Sequence, residues 1–91
     1  FQHVLDLRYE TTTEQLRTVV TQLRDVLRAD ARVTPDTSTP RVHVTGFGDS
    51  SIQVEVCAYV DTREQMRFLA IQEEFMLRMI DVVRAAGADF I

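Results

Sequence analysis

Apolar side chains in this 91-residue chain keep two different rhythms, and the order in which those rhythms alternate leaves few folds open. From Phe1 to Tyr9, the residues Phe1, Leu5, Leu7 and Tyr9 share one parity while Gln2, Asp6 and Arg8 take the other, with Val4 as the exception. A period of two marks a strand, whose side chains point alternately to opposite faces. Leu16, Val19, Val20, Leu23, Val26 and Leu27 then recur at steps of three and four, which gathers them on one stripe of a helix. The period of two returns at Val42 and Val44, and again through Ile52, Val54, Val56, Ala58 and Val60. A long second helix is expected from about Arg63 to Ala86, and a short final strand from Ala88 to Ile91.

Local chemistry places the boundaries. Thr11 and Glu14 have the spacing of a capping box, in which each side chain satisfies a free backbone N–H at a helix start; Thr62 and Gln65 repeat it. Gly87 is expected to end the second helix in a left-handed conformation. Asp30 to Pro40 is polar, carries Pro35 and Pro40, and reads as a loop. Gly46-Phe47-Gly48-Asp49-Ser50 joins two strands as an antiparallel hairpin, its glycines permitting positive φ and Phe47 anchoring the tip. Strand, helix, strand, strand, helix, strand is the order of a ferredoxin-like α+β sandwich: an antiparallel sheet with two helices on one face and the third strand between the first and second.

The second helix carries more apolar surface than one sheet needs. Projected at about 100° per residue, Phe68, Leu69, Ile71, Phe75, Met76, Met79, Ile80, Val82 and Val83 cover roughly half the circumference. Arg67, Glu74, Arg78 and Asp81 lie opposite, with Met66 and Leu77 as apolar intruders. Either this helix is buried deeply in its own domain or part of it meets a neighbouring subunit, and Phe75, Met76 and Met79 are the candidate interface residues.

Composition narrows the chemistry. Ninety-one residues at 45% hydrophobic content build one core, so we expect a single domain over residues 1–91. A formal charge of -4, with arginines spread from Arg8 to Arg84, makes nucleic acid an unexpected partner. Cys57 is the sole cysteine, so no intrachain disulfide forms and a reducing compartment fits. No apolar run approaches the roughly 20 residues that cross a bilayer, so the stretch reads as soluble. Because it starts and stops within strands, it reads as an excised piece of a larger protein.

Catalytic and metal constellations are not expected. His3 and His43 fall on strands that the third strand separates, each beside polar neighbours, and no His or Cys spacing suits zinc; neither metal nor cofactor is expected. Cys57, between Val56 and Ala58, reads as an inert mid-strand residue without the cation or helix N-terminus that activates a thiolate. Gly46 to Ser51 looks superficially like a phosphate cradle, yet a strand follows it where such loops need a helix. Glu73 and Glu74 read as a solvated edge. Asp6, Arg8, Arg41 and Glu55 are expected on the sheet face away from the helices, where opposite charges pair across strands. An enzyme is not expected, since nothing converges on a concave pocket.

Three motifs occur in order: Tyr9-Glu10-Thr11-Thr12 with the helix it introduces, Gly46-Phe47-Gly48-Asp49-Ser50-Ser51 before an alternating strand, and Ala86-Gly87-Ala88-Asp89-Phe90 at the close. Through them the chain resembles the small-conductance mechanosensitive channel family over nearly all its length. The resemblance implies the C-terminal α+β domain of a cytoplasmic vestibule, a cage of identical subunits, usually a heptamer, on the cytoplasmic side of the bacterial inner membrane. Its partners would be further copies of itself and the rest of the channel with its membrane helices. Its role would be assembly and filtering of ions below the pore, and Gly46 to Ser51 and Gly87 would be architectural. The residues themselves leave a second reading open, a stand-alone ferredoxin-like regulatory module that binds a small ligand or pairs with itself.

Overall fold

The computed structural model describes residues 1–35 and 40–91. Its elements are β1 (Gln2–Arg8), α1 (Thr13–Ala29), β2 (Arg41–Phe47), β3 (Ser51–Cys57) and α2 (Gln65–Ala85). β3 lies between β1 and β2 and is antiparallel to both, as the ferredoxin-like arrangement requires. Leu7 stands opposite Ile52, Leu5 opposite Val54, and Val42 opposite Val56, and all six side chains are buried. With a period of two, a slip of one residue would turn this entire set to the other face, so the apolar pattern holds the register. α1 closes the core with Val19, Leu23 and Leu27, and α2 with Ile71, Phe75, Met79 and Val83.

The final strand is shorter than the sequence suggests. Phe90 forms a single antiparallel bridge with Leu7, flanked by bonds from the Arg8 N–H to the Asp89 carbonyl at 3.0 Å and from the Ile91 N–H to the Asp6 carbonyl at 3.1 Å. The terminal segment therefore runs beside the outer edge of β1. β3 also stops at Cys57, before the expected Val60, which bridges instead to Val33. That bridge and the Thr34 N–H bond to the Tyr59 carbonyl at 2.8 Å fasten the start of the α1–β2 connection. Of the loop expected from Asp30 to Pro40, residues 36–39 lie outside the described residues.

Helix starts differ from the expected spacing. The capping box of α1 uses Thr12 and Gln15 rather than Thr11 and Glu14: the Thr12 hydroxyl accepts from the Gln15 N–H at 3.1 Å, and the Gln15 side chain accepts from the Thr12 N–H at 2.9 Å. Thr11 instead donates its hydroxyl to the Arg8 carbonyl and closes the turn out of β1. α2 has no side-chain cap. Its N-cap is Glu64, and Thr62, two residues earlier, accepts only from the Glu64 N–H at 3.3 Å.

Among the described residues only Gly87 has positive φ, at 78°, in the left-handed stop after α2. Gly46 and Gly48 do not need that freedom, contrary to the expectation for the hairpin. Gly46 sits at a register shift in the β2–β3 ladder, a bulge that bends the strand. At Gly48 a Cβ would lie 2.4 Å from the Ser51 hydroxyl oxygen, so any side chain there would force Ser51 out of its present rotamer.

Candidate functional site

The breadth of the apolar face on α2 resolves into two parts. Phe75 and Met79, 2% and 4% exposed, belong to the domain's own core. The Phe75 ring meets the Phe1 ring edge-on at 5.5 Å, and the Arg32 guanidinium lies 5.5 Å from the Phe75 ring centre. Met76 is half-buried and is the one member of the sequence-derived trio with surface left over. Around it, Met66 is 79% exposed and Leu69 46%, while Ile80 is half-buried. These side chains form an apolar flank of α2 that continues into a shallow groove against β1, lined by His3, Leu5, Met76, Met79, Ile80 and Phe90.

His3 is therefore not among polar neighbours. It shares parity with Phe1 and Leu5 on the helix-facing side, with its ring stacked 6.2 Å from that of Phe1. His43 does have polar company, opposite Glu55 and 3.2 Å through Nδ1 from an Arg24 guanidinium nitrogen. β3 separates the two histidines as expected. Among the described residues, no three of the His, Cys, Asp and Glu side chains gather as a metal site.

The sheet face turned away from the helices is laced by polar pairs. Arg41 and Glu55 form a cross-strand ion pair at 3.4 Å, and Asp6 accepts from the Ser51 hydroxyl at 2.9 Å and from the Gln53 amide at 3.5 Å. Cys57 closes β3 on this face, half-buried and opposite Gln2 and Arg41, so it ends the strand and is not in its middle. Asp49 is exposed in the hairpin turn, and Phe47, 73% exposed, lies 6.3 Å from the ring of Tyr9, which is 64% exposed. At the C-terminal end of α2, the Gln15 side chain donates to the Gly87 carbonyl at 3.0 Å, so one residue both caps α1 and ties down the α2 stop.

A charged cluster that the sequence reading did not single out joins α1 to α2. Arg32 donates to both carboxylate oxygens of Asp30, at 3.0 and 2.7 Å, and also pairs with Glu74. Those hydrogen bonds from Arg32 hold the Asp30 carboxyl below its ordinary range against the opposing effect of burial, while Asp30 and Glu74 push the guanidinium still higher. The Asp-x-Arg spacing just past a helix end was visible in the sequence, but the partner on α2 is 42 residues away.

A sheet with one laced polar face, two helices on the other and no convergent reactive groups among the described residues defines a ferredoxin-like α+β domain, whose distinguishing surface is an apolar helix flank. The chain belongs to the MscS family of mechanosensitive ion channels: the family model for the MscS C-terminal region matches residues 3–90. Its relatives include an uncharacterized MscS family protein of Aquifex aeolicus, 28% identical over 82 residues, covering 90% of this chain and 22% of that protein. Another is the low conductance mechanosensitive channel YnaI of Escherichia coli, 30% identical over 86 residues, covering 94% of this chain and 24% of that one. The chain thus spans less than a third of the curated relatives it matches. Two cryo-EM structures of Arabidopsis thaliana MSL1 align with all of the chain at TM-scores of 0.86 and 0.85 and 12% identity, over 32% and 31% of their own length, a likeness of fold. No helix among the described residues is long and apolar enough to cross a membrane.

Proposed function

We propose that this chain is the vestibule domain of a mechanosensitive channel, lying on the cytoplasmic side of a bacterial inner membrane as one part of a longer subunit. It contributes to subunit assembly, as a heptamer, and to the sorting of ions that approach the pore, without catalysis. The observation that carries this reading is the family match across residues 3–90. The apolar flank of α2 supports the assembly role, because exposed apolar surface of this kind is stabilised by a further contact. The charged side chains Asp6, Arg41 and Glu55 on the open sheet face support the filtering role, since fixed charge along a permeation path changes local ion concentration.

The test is electrical and osmotic. The full-length channel with residues 1–91 removed is expected to lose survival protection in osmotic downshock. A Glu55→Gln variant is expected to shift the reversal potential under a salt gradient while leaving the tension threshold in place. A full-length protein that shows no tension-gated conductance, and whose thermal midpoint rises with a small metabolite, would overturn the proposal in favour of a ligand-binding regulatory module.

A further inference from the structure

The two edges of the domain carry complementary surfaces. On the β1 side, the flank of α2 presents Met66, Leu69, Glu73, Met76 and Ile80, whose steps of three, four, three and four residues form the seam by which one helix packs knobs into the holes of a neighbouring surface. Glu73 is the charged member of that seam. On the β2 side, at the other end of the strand order, a groove runs between α1 and the free edge of the sheet, lined by Leu16, Arg17, Val20, Arg24, His43 and Val44. Val44 is 45% exposed, Leu16 and Val20 are half-buried, and no carboxylate lines the groove. Arg24 already holds the Val42 carbonyl through two bonds, at 3.1 and 2.7 Å, which fixes a cation along the groove. Among the described residues, neither Arg17 nor Glu73 takes part in a salt bridge.

We infer that the α2 flank of one copy docks into the α1–β2 groove of the next, with Glu73 set against the cations Arg17 and Arg24 of its neighbour. This rests on the assembly role proposed above and names the surfaces that carry it. Each edge offers an apolar strip, but one strip has an acidic member and the other a basic rim. A pairing of like edges would place two Glu73 carboxylates, or two arginine rims, on the same interface; the pairing of unlike edges neutralises both. Because the two surfaces differ and sit on opposite edges, the contact is head-to-tail, and such contacts close into a ring where the rotation from copy to copy divides a full turn. The seven copies of the proposed vestibule and this contact geometry are therefore compatible, whereas an α2-to-α2 contact would stop at two.

The inference is tested in the full-length subunit in native membranes, on a cysteine-free background that includes Cys57→Ser. Glu73→Cys combined with Arg17→Cys in the same chain is expected to give, on oxidation, a ladder of crosslinked species extending beyond the dimer, while either cysteine by itself gives none. Charge reversal by Glu73→Arg or Arg17→Glu is expected to lower the fraction of assembled channel about tenfold, and the two reversals together to restore it. A dimer formed by Glu73→Cys alone would overturn the head-to-tail contact in favour of α2 meeting α2. Native mass measurement separates the two levels of the argument. An assembled channel that neither crosslinks nor responds to charge reversal sinks this surface assignment and leaves the assembly role standing; a monomeric full-length subunit sinks both.

Discussion

The two helices cover the same sheet yet end with different surfaces. α1 has 17 residues, a reciprocal side-chain cap at its start, one buried stripe, and Glu14, Arg17, Thr21, Asp25 and Arg28 facing out. α2 has 21 residues, no side-chain cap, a buried stripe of its own, and Met66, Leu69 and Leu77 left 79%, 46% and 56% exposed. α1 is thus finished by local chemistry: its polar residues meet water and its first turn is satisfied within four residues. α2 is held by tertiary packing at one side and leaves an apolar flank at the other. A helix needs roughly a 100° apolar stripe to cover a core, and the excess on α2 separates the residues that hold the fold from those available to a partner.

The comparison breaks first at the core. Phe75→Ala is expected to cost about 3–5 kcal/mol and Leu23→Ala about 2–5 kcal/mol, read from urea midpoints, because each leaves a cavity among packed neighbours. Phe75 supports the Phe1 ring and the Arg32 guanidinium as well as the core, so its loss should be the larger. An unchanged midpoint for Phe75→Ala would move that side chain from the buried stripe to the flank and erase the distinction between the two faces of α2.

Next in size is the Arg32 link between the helices. Arg32→Gln is expected to cost about 1 kcal/mol at neutral pH, because the pairs are partly exposed and screened by solvent. The acid limb is more telling. In the folded chain the hydrogen bonds from Arg32 set Asp30 below its ordinary value of 3.8, so the stabilisation they supply is complete above that value and disappears as pH falls through the folded one. Urea midpoints taken down the acid range should therefore fall less steeply for Arg32→Gln than for the unaltered chain. Parallel acid limbs would show that Asp30 gains nothing from its guanidinium partner.

Much of this arrangement is legible in the sequence because strand parity and helical steps are local. Leu5, Leu7, Val54 and Val56 announce their faces within a few residues; His3 shares parity with Phe1 and Leu5, a signal that the reading of it beside polar neighbours passed over. What local reading cannot rank is two caps of equal spacing. Thr11–Glu14 and Thr12–Gln15 are both available, and the turn bond from Thr11 to Arg8 decides between them by taking Thr11 out of competition. The shortening of the last strand to one bridge at Phe90 and the pairing of Arg32 with Glu74 depend on contacts far apart in the chain, and no periodicity encodes them. At the candidate interface the breadth of α2 was visible, but the division of Phe75 and Met79 from Met76 needed the position of β1.

The helix starts sharpen the contrast at a smaller scale. Thr12→Ala should lower stability by about 1 kcal/mol, since it removes the hydroxyl that accepts from the Gln15 N–H and leaves the bond from the residue 12 backbone N–H to the Gln15 side chain as the remaining half of the box. Thr62→Ala should cost less, because its hydroxyl meets only the Glu64 N–H before α2 begins. Equal losses in thermal unfolding would mean that both helices are capped alike.

The smallest effect on stability, and the sharpest on the comparison, belongs to the flank. Leu69→Gln and Met66→Gln replace exposed apolar side chains on α2, and each should shift the urea midpoint of the 91-residue chain by no more than about 0.5 kcal/mol in free energy. The same substitutions on a surface used for contact remove apolar area from the partner, so the fraction of assembled full-length channel should fall even though the domain itself is untouched. Thr21 lines the α1–β2 groove inferred to receive that flank, so Thr21→Asn should likewise lower assembly and leave stability unchanged. A flank variant that lost stability and assembly together would show that Met66 and Leu69 serve the fold, and α2 would then be a core helix on every apolar side.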